Sequence, residues 1–228
     1  MNAILFLLRT GCPWRYLSRD SFPPRSTDYN IFRKLQRDGV WGEIWAELHM
    51  ELHERMGRES QPHGGGSRQP VDQIGRKSGG NDNQVGYDAG KQVKGRKIHA
   101  AVDSEGLPMR VVARSAAIQD RDGAGLVLDK IRRRFPWLDL IWAEVVYNTS
   151  QVDAAVAKAS LLYMKIVKRR DDKKGFVVPP RGWVFERTFS SLGRNRRLAK
   201  DLENLAETLA TFVTLASIQL ALRRLARA

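Results

Sequence analysis

The sequence predicts a mixed α/β domain preceded by a small helical region, and three observations support this fold class. From residue 98 onward, apolar runs of strand length alternate with amphipathic runs of helix length. Residues 1–57 show helical patterns. Residues 59–97 are rich in Gly and polar residues and have almost no apolar periodicity. We therefore expect a helical region at 1–58, an irregular segment at 59–97 and an α/β domain at 98–228.

The N-terminal region is expected to contain three helices. The first covers Asn2 to Arg9, the second begins near Ser26 and Thr27 and runs to about Asp38, and the third covers Trp41 to about Met56. The second helix should expose three basic side chains, Arg33, Lys34 and Arg37. A short helix, a turn and a basic helix indicate helix-turn-helix DNA binding. The alternative is an ordinary helical cap on the second domain.

The α/β region begins with two strands that form a hairpin through Ser104-Glu105-Gly106. Further strands and helices then alternate, and two helices close the chain. The expected elements are strands at 98–103 and 107–113, a helix at 120–134, a strand at 138–144, a helix at 151–158, a strand at 161–168, and helices at 183–200 and 202–227. A hairpin, alternating strands and helices, and a late helix that carries a carboxylate are compatible with an RNase H-like fold.

The charge of the chain favours a polyanionic partner. The formal net charge is +14, and Lys and Arg are spread from Arg9 to Arg227 rather than gathered in one tail. The alternative is a basic protein with solvated faces. Cys12 is the sole cysteine, which excludes an intramolecular disulfide and a zinc site built from cysteines.

No segment of the sequence indicates export or membrane insertion. The apolar run within Met1 to Leu8 is too short for a secretory signal. The apolar segment from Leu209 to Leu222 is interrupted by polar residues and falls short of the roughly 18 residues that suggest a membrane span. We therefore expect a protein of the cytosol that makes no membrane contact.

Three stretches of the chain carry recognisable motifs. They are Leu8-Arg9-Thr10-Gly11-Cys12-Pro13-Trp14-Arg15, then Gly86-Tyr87-Asp88-Ala89-Gly90-Lys91 followed by Lys94-Gly95-Arg96-Lys97-Ile98-His99, and then Trp183-Val184-Phe185-Glu186-Arg187-Thr188-Phe189. Together with Asp120-Arg121-Asp122-Gly123 and the run from Arg194 to Lys200, they resemble DDE insertion-sequence transposases of the branch typified by insertion sequence five. That family usually has a further N-terminal segment, so we expect this chain to be a shortened copy.

The resemblance implies a metal-dependent reaction on DNA. In the family, two Asp and one Glu hold two divalent ions about 4 Å apart, which activate water or a 3′-hydroxyl. Oxygen ligands select Mg²⁺ or Mn²⁺. The implied partner is double-stranded DNA, at the element's terminal repeats and at the target. The sequence has no glycine-rich loop of nucleotide-binding spacing, so no nucleotide cofactor is expected.

Glu186 matches the family's glutamate. It lies early in an expected helix, with Gly193, Arg197 and Lys200 near the same helical face at successive turns. Considered without the resemblance, a Glu in the first turn of a helix is more often a surface residue that complements the helix dipole.

The second acid departs from the family pattern. The strand that should end in Asp-Gly ends here in Glu144-Val145. The additional methylene moves the carboxylate by more than about 1 Å, and a displacement on that scale is expected to cost about 10²-fold in rate. The alternative is a glutamate at a strand end that binds no metal.

The first acid shows the largest departure. The family has an apolar strand that ends in Asp-Ser-Gln-Ser, whereas this chain has Ser67-Arg68-Gln69-Pro70-Val71-Asp72-Gln73. If these residues are encoded TCT AGA CAG CCA GTC GAT CAA, then reading one base later gives Leu-Asp-Ser-Gln-Ser-Ile. The same shift converts Gly80 to Gln84 into an Ala-Thr-Thr-Thr stretch that also occurs in the family.

We therefore hypothesise a frameshift that begins near Gln61 and is corrected near Val85. On this hypothesis Arg68 overlaps the codon of the lost Asp, and Asp72 is an accidental carboxylate. Asp103 is a conceivable substitute, but the resemblance places it in the hairpin outside the triad. The nucleotide sequence tests the hypothesis, because the alternative frame across codons 61–84 must encode the Leu-Asp-Ser-Gln motif.

The candidate DNA contacts are basic residues of the second helix and of the segment after Glu186. They are Arg33, Lys34, Arg37, Arg187, Arg194, Arg196, Arg197 and Lys200. A solvated basic face is the alternative for the later group. His49 and His53 share a helical face at the spacing of some zinc ligands, but the sequence offers no third ligand.

Two functions stay open at this point. One is a transposase that cuts and joins element ends through Glu186, Glu144 and a third carboxylate, which would be Asp72 or an unidentified acid. The other is a catalytically dead remnant or regulator that binds element ends, or that associates with itself or with full-length transposase. An unrelated basic RNA-binding protein is the third possibility, and the length of the resemblance argues against it.

Overall fold

The structure is a computed structural model that describes residues 1–56, 65–68, 71–73, 85–89, 92–129, 131–136, 138–144, 148–158, 162–167 and 182–227. The described helices are α1 (Asn2–Thr10), α2 (Arg25–Arg37), α3 (Val40–Arg55), α4 (Asp120–Leu128), α5 (Ile131–Arg134), α6 (Ser150–Lys158), α7 (Gly182–Leu192) and α8 (Ala206–Leu225). The described strands are β1 (Gly65–Arg68), β2 (Val71–Gln73), β3 (Gly86–Asp88), β4 (Val93–Asp103), β5 (Pro108–Ser115), β6 (Leu140–Glu144) and β7 (Tyr163–Val167).

All seven described strands belong to one mixed sheet. β4 pairs antiparallel with β5 along one edge and with β1 and β2 along the other. β1 also pairs parallel with β6, and β6 pairs parallel with β7. The order across the sheet is therefore β5, β4, β1, β6, β7, with β3 beside β4 at its N-terminal end. This is the RNase H-like arrangement that the sequence predicts.

β1 and β2 are two parts of one strand line. Arg68 lies opposite Ala100 and Val71 lies opposite Lys97, so β1 and β2 pair with β4 in the same register. The segment 59–97, expected to be irregular, therefore contributes β1, β2, β3 and the start of β4 at its described positions. Strand propensity is weak in this segment, but pairing with neighbouring strands overrides propensity. Residues 57–64, 69–70, 74–84 and 90–91 lie outside the described part.

Helices cover both faces of the sheet. On one face, Ala100 and Val102 of β4 pack against Val184 and Phe185 of α7. On the other face, Ala101 belongs to a core with side chains of α4, α5 and β6. The alternation of neighbouring β4 residues between the two cores follows from the two-residue period of a strand. The single helix expected at 120–134 is divided into α4 and α5, because the backbone at Asp129 is extended.

The N-terminal helices pack onto the same body rather than standing apart from it. Phe32 of α2 stacks on Phe212 of α8 with ring centroids 5.1 Å apart. The indole nitrogen of Trp45 in α3 donates a hydrogen bond to the carbonyl of Pro108, at 2.6 Å. Among the described helices, none combines the length and the apolar character that crossing a bilayer requires.

The turn between β4 and β5 contacts α7 closely. Gly106 has φ of +79°, and the hydroxyl of Thr188 in α7 donates a hydrogen bond to its carbonyl at 2.9 Å. A Cβ at Gly106 would lie 2.7 Å from the Thr188 Oγ1. Only a glycine therefore fits this turn without strain and displacement.

We predict that Gly106→Ala lowers the free energy of unfolding by about 2 kcal/mol or more, since left-handed backbone costs about 1–2 kcal/mol for an L-residue and the clash adds to it. Urea unfolding measures the change. Gly125→Ala is the matched control, because its Cβ would meet only the Ala155 Cβ, at 3.7 Å. That helical change should be neutral or stabilise by up to about 1 kcal/mol. Equal effects of the two substitutions would contradict the prediction.

Candidate functional site

The ends of two neighbouring parallel strands define the first part of the candidate site. Gly65, Gly66 and Ser67 of β1 lie opposite Ile141, Trp142 and Ala143 of β6. The next residues are Arg68 and Glu144, and each is the last residue of its strand. The backbone therefore places Arg68 beside Glu144 at the same edge of the sheet.

Glu186 lies on the helix that covers this part of the sheet. α7 packs against β1, and its residues Val184 and Phe185 are buried against β4. The next residue, Glu186, is exposed. The apolar pair thus orients the helix and leaves the carboxylate facing solvent.

Asp72 does not lie beside Glu144 in the sheet. It lies in β2 opposite Arg96 of β4, four residues beyond Arg68 on the same strand line. Four residues of strand span about 13 Å, and the β1–β6 pairing ends before Asp72. The residue whose backbone lies beside Glu144 is therefore Arg68, and Asp72 lies farther along the strand line.

The basic residues after Glu186 do not share its helix. α7 ends at Leu192 instead of Lys200, so the helical face expected to join Glu186 with Gly193, Arg197 and Lys200 does not form. Residues 193–200 form turns, and the amide of Arg196 donates a hydrogen bond to the carbonyl of Arg9, at 3.3 Å. The exposed basic side chains of this area are Arg9, Arg187, Arg194, Arg196 and Lys200.

Arg197 is the exception among the basic residues expected to contact DNA. Its side chain is 5 % exposed and donates a hydrogen bond to the carbonyl of Cys12, at 2.9 Å. It also forms an ion pair with Glu203 at 2.7 Å and lies over the Phe212 ring. These internal contacts hold the guanidinium away from solvent, so the structure gives no support to the prediction that Arg197 contacts DNA.

The basic residues of α2 differ in their availability. Lys34 and Arg37 are exposed, and Lys34 forms an exposed ion pair with Asp38 at 3.6 Å. Arg33 is half-buried and donates a hydrogen bond to Gln36, whose amide donates to Thr211 of α8 at 2.8 Å. Lys34 and Arg37 are therefore the α2 side chains that solvent can reach.

The exposed face of α3 is acidic. Its solvent-facing residues are Glu43, Glu47, Glu51, Glu54 and Arg55. Its opposite face is buried by α8 and the β4–β5 hairpin, through residues such as Trp45 and His49. An acidic face repels DNA phosphates, so the exposed face of α3 does not suit contact with DNA. Whether the N-terminal helices bind DNA through α2 or only cap the second domain stays a prediction.

Three buried side chains form a second polar cluster. The Nε2 atoms of His49 and His53 each lie 2.8 Å from the Asp103 Oδ2, and the three side chains have no solvent-exposed area. The other oxygen, Oδ1, accepts hydrogen bonds from the backbone amides of Glu105 and Leu107, at 2.9 and 2.8 Å. Burial raises the pKa of Asp103, but hydrogen bonds from His49 and His53 outweigh it, and the pKa falls from 3.8 to about 2.

The sequence indicates only two of the three residues of this cluster. The i, i+4 spacing of the two histidines predicts a shared helical face, and α3 has that face. The third member lies 54 residues from His49 and 50 residues from His53. The pairing of α3 with the hairpin is set by tertiary packing, so the sequence spacing does not reveal it.

Comparison with known families agrees with the mixed α/β fold. Residues 61–220, more than half of the chain, match the family described as "Transposase DDE domain". The chain belongs to this family, and residues 1–45 also match the family described as "Putative transposase of IS4/5 family". Comparison with curated proteins and with solved structures finds no match.

Family membership establishes the general function as DNA transposition and implies DNA as a partner and a divalent metal as a cofactor. The resemblance to insertion-sequence transposases is thereby confirmed.

Proposed function

We propose that this chain binds the ends of its own element in the bacterial cytosol and that its strand-cleavage step is impaired. The observation that carries the proposal is the position of Arg68 beside Glu144, at the ends of β1 and β6. The family requires a carboxylate at the end of the central strand. A guanidinium there replaces a metal ligand with a positive charge, which repels divalent cations.

Arg68 is also the residue whose codon overlaps the lost Asp in the frameshift hypothesis. The strand register and the codon argument therefore converge on one position by separate routes. Glu144 and Glu186 are the family carboxylates that are left to hold Mg²⁺ or Mn²⁺. Two carboxylates without the third supply too few oxygen ligands for two ions.

The proposed DNA interface is the basic surface of the segment that follows α7. Arg194, Arg196 and Lys200 are exposed there, and Arg9 lies next to Arg196 through the backbone hydrogen bond. Six residues of helix, about 9 Å along the axis, separate Glu186 from Leu192 at the end of α7. Phosphate contacts on this segment would hold a duplex within reach of Glu186.

The same observation at Arg68 favours a second candidate, a catalytically dead remnant that regulates transposition. Such a protein would bind terminal repeats or associate with itself or with full-length transposase. A strand-cleavage assay on element-end DNA with Mg²⁺ or Mn²⁺ separates the two functions. Weak metal-dependent nicking that Glu186→Gln abolishes supports an impaired transposase, whereas binding without nicking supports the remnant.

We predict that replacing Arg194, Arg196 and Lys200 by alanine weakens binding to element-end DNA. Each lost phosphate contact lowers the slope of log affinity against log salt by about 0.9, so the slope should fall by about 3. The matched control removes the same charge from exposed Arg114, Lys158 and Lys165. Fluorescence anisotropy over a salt series measures both variants. An equal loss of affinity in the control would show that net charge, rather than this surface, determines binding.

A further inference from the structure

We propose that His49, His53 and Asp103 form a buried zinc site that joins α3 to the β4–β5 hairpin. This site goes beyond the proposed function, because the family's metals bind to carboxylates at the ends of β1 and β6 and on α7. The cluster uses none of those residues. Its ligands come from one helix and one strand that are distant in sequence.

The positions of the donor atoms fit a single ion. One donor atom from each of the three residues lies within 4.8 Å of the others. Zinc bonds of about 2.0–2.1 Å in tetrahedral geometry place ligand atoms about 3.3 Å apart. The Nε2 and Oδ2 atoms are 2.8 Å apart, so each pair must separate by about 0.5 Å. Small side-chain rotations provide a shift of this size.

The chemistry of the donors favours zinc over the metals of the transposition reaction. Two imidazole nitrogens and one carboxylate oxygen suit Zn²⁺, whereas Mg²⁺ and Mn²⁺ prefer oxygen ligands. A neutral imidazole binds zinc through Nε2 when its ring proton is on Nδ1, so the zinc-bound site requires this tautomer of both histidines. Three protein ligands leave a fourth position, which a water molecule fills in many zinc sites.

The surroundings hold the three ligands in place. The backbone amides of Glu105 and Leu107 occupy the Asp103 Oδ1 and leave Oδ2 directed at the histidines. The His49 ring packs edge-on against Trp45 and Phe135, with centroids 5.6 and 5.4 Å away. Ligands that are already oriented in an apolar shell lose little freedom when a metal binds.

Zinc binding to the full chain tests the proposal without DNA. The protein is stripped with a chelator, dialysed, and titrated with zinc chloride while metal content and thermal unfolding are measured. We expect one zinc per chain and a higher Tm. Cobalt chloride in place of zinc should give the visible absorption of a tetrahedral cobalt site, a readout that needs no variant.

Two ligand variants and one control complete the experiment. His53→Gln and Asp103→Asn should each weaken zinc binding at least tenfold, and Asp103→Asn retains an oxygen for the turn amides. Thr188→Val removes the hydrogen bond to Gly106 at the same hairpin, without changing a ligand, and should bind zinc as the wild type does. Wild-type protein that takes up no zinc, or ligand variants that bind as tightly as Thr188→Val, would overturn the site. Either result leaves the DNA-binding proposal unaffected.

Discussion

A variant in which residues 67–72 are replaced by Leu-Asp-Ser-Gln-Ser-Ile is expected to nick element-end DNA at least about 10²-fold faster than the wild type in Mn²⁺. The replacement puts a carboxylate at position 68, at the end of β1 and beside Glu144. It also removes a cation from the same place. The estimate is a lower bound, because even a displacement of about 1 Å in an active site costs this much.

The gain in nicking rate should depend on the position of the new carboxylate and not only on the change in net charge. The single substitution Arg68→Asp introduces the same carboxylate without the rest of the family motif and should give part of the gain. Asp72→Asn in the wild-type chain is the matched control and should change nothing, because Asp72 lies beyond the end of β6 pairing. Nicking of a plasmid that carries the element with its own terminal repeats measures all three.

We call the protein with residues 67–72 replaced by the family motif the repaired variant. Glu186→Gln in the repaired variant should abolish the gained nicking activity. Its loss would show that the new carboxylate acts together with α7. If the unmodified chain nicks as fast as the repaired variant, another acid supplies the third ligand and the proposed impairment is wrong. The conversion of Glu144 to Asp in the repaired variant should raise the rate further, since the family has the shorter side chain there.

Much of the fold follows from the sequence where hydrophobic period and turn residues agree. α1, α3 and the β4–β5 hairpin lie within a few residues of their expected positions. The elements that differ are those in which tertiary contacts decide. α7 ends at Leu192, and Arg197 is drawn inward to Cys12 and Glu203. Helix propensity alone therefore predicts neither the end of α7 nor the burial of Arg197.

For β1 and β2 the sequence predicts an irregular segment, whereas the structure has strands. Their residues have low strand propensity, yet they share a single register with β4. β1 lies between β4 and β6, and β2 pairs with β4, and these backbone hydrogen bonds are independent of the side chains. The boundaries drawn from composition at residues 58 and 97 stay predictions.

The candidate site is predictable only as far as the family motif identifies it. Glu186 is predicted from its motif, and in the structure it is exposed directly after the buried residues Val184 and Phe185. To predict that Arg68 lies beside Glu144 one needs the strand register, which a single sequence does not give. The contact of His49 and His53 with Asp103 also cannot be predicted from residue spacing, because α3 and β4 meet only in the folded chain.

Asp201→Asn is expected to lower the free energy of unfolding by about 3–5 kcal/mol, the usual cost of leaving one member of a buried ion pair without its partner. Asp201 and Arg96 are 1 % and 2 % exposed, and their Oδ2 and Nη1 atoms are 2.7 Å apart. The Arg96 guanidinium also donates hydrogen bonds to the carbonyls of Glu203 and Asn204, at 2.9 and 2.8 Å. These bonds attach the segment after α7 to β4.

Urea unfolding measures this loss, with Asp38→Asn as the matched control. Asp38 forms an exposed ion pair with Lys34, and such pairs contribute at most about 1 kcal/mol. Because the attached segment carries the basic surface, Asp201→Asn should also weaken DNA binding, although no phosphate contact is removed. A loss of stability no larger than that of the control would mean that the carbonyl hydrogen bonds suffice for the buried Arg96. In that case the segment that carries the proposed DNA interface would be attached to β4 through its backbone carbonyls and not through the ion pair.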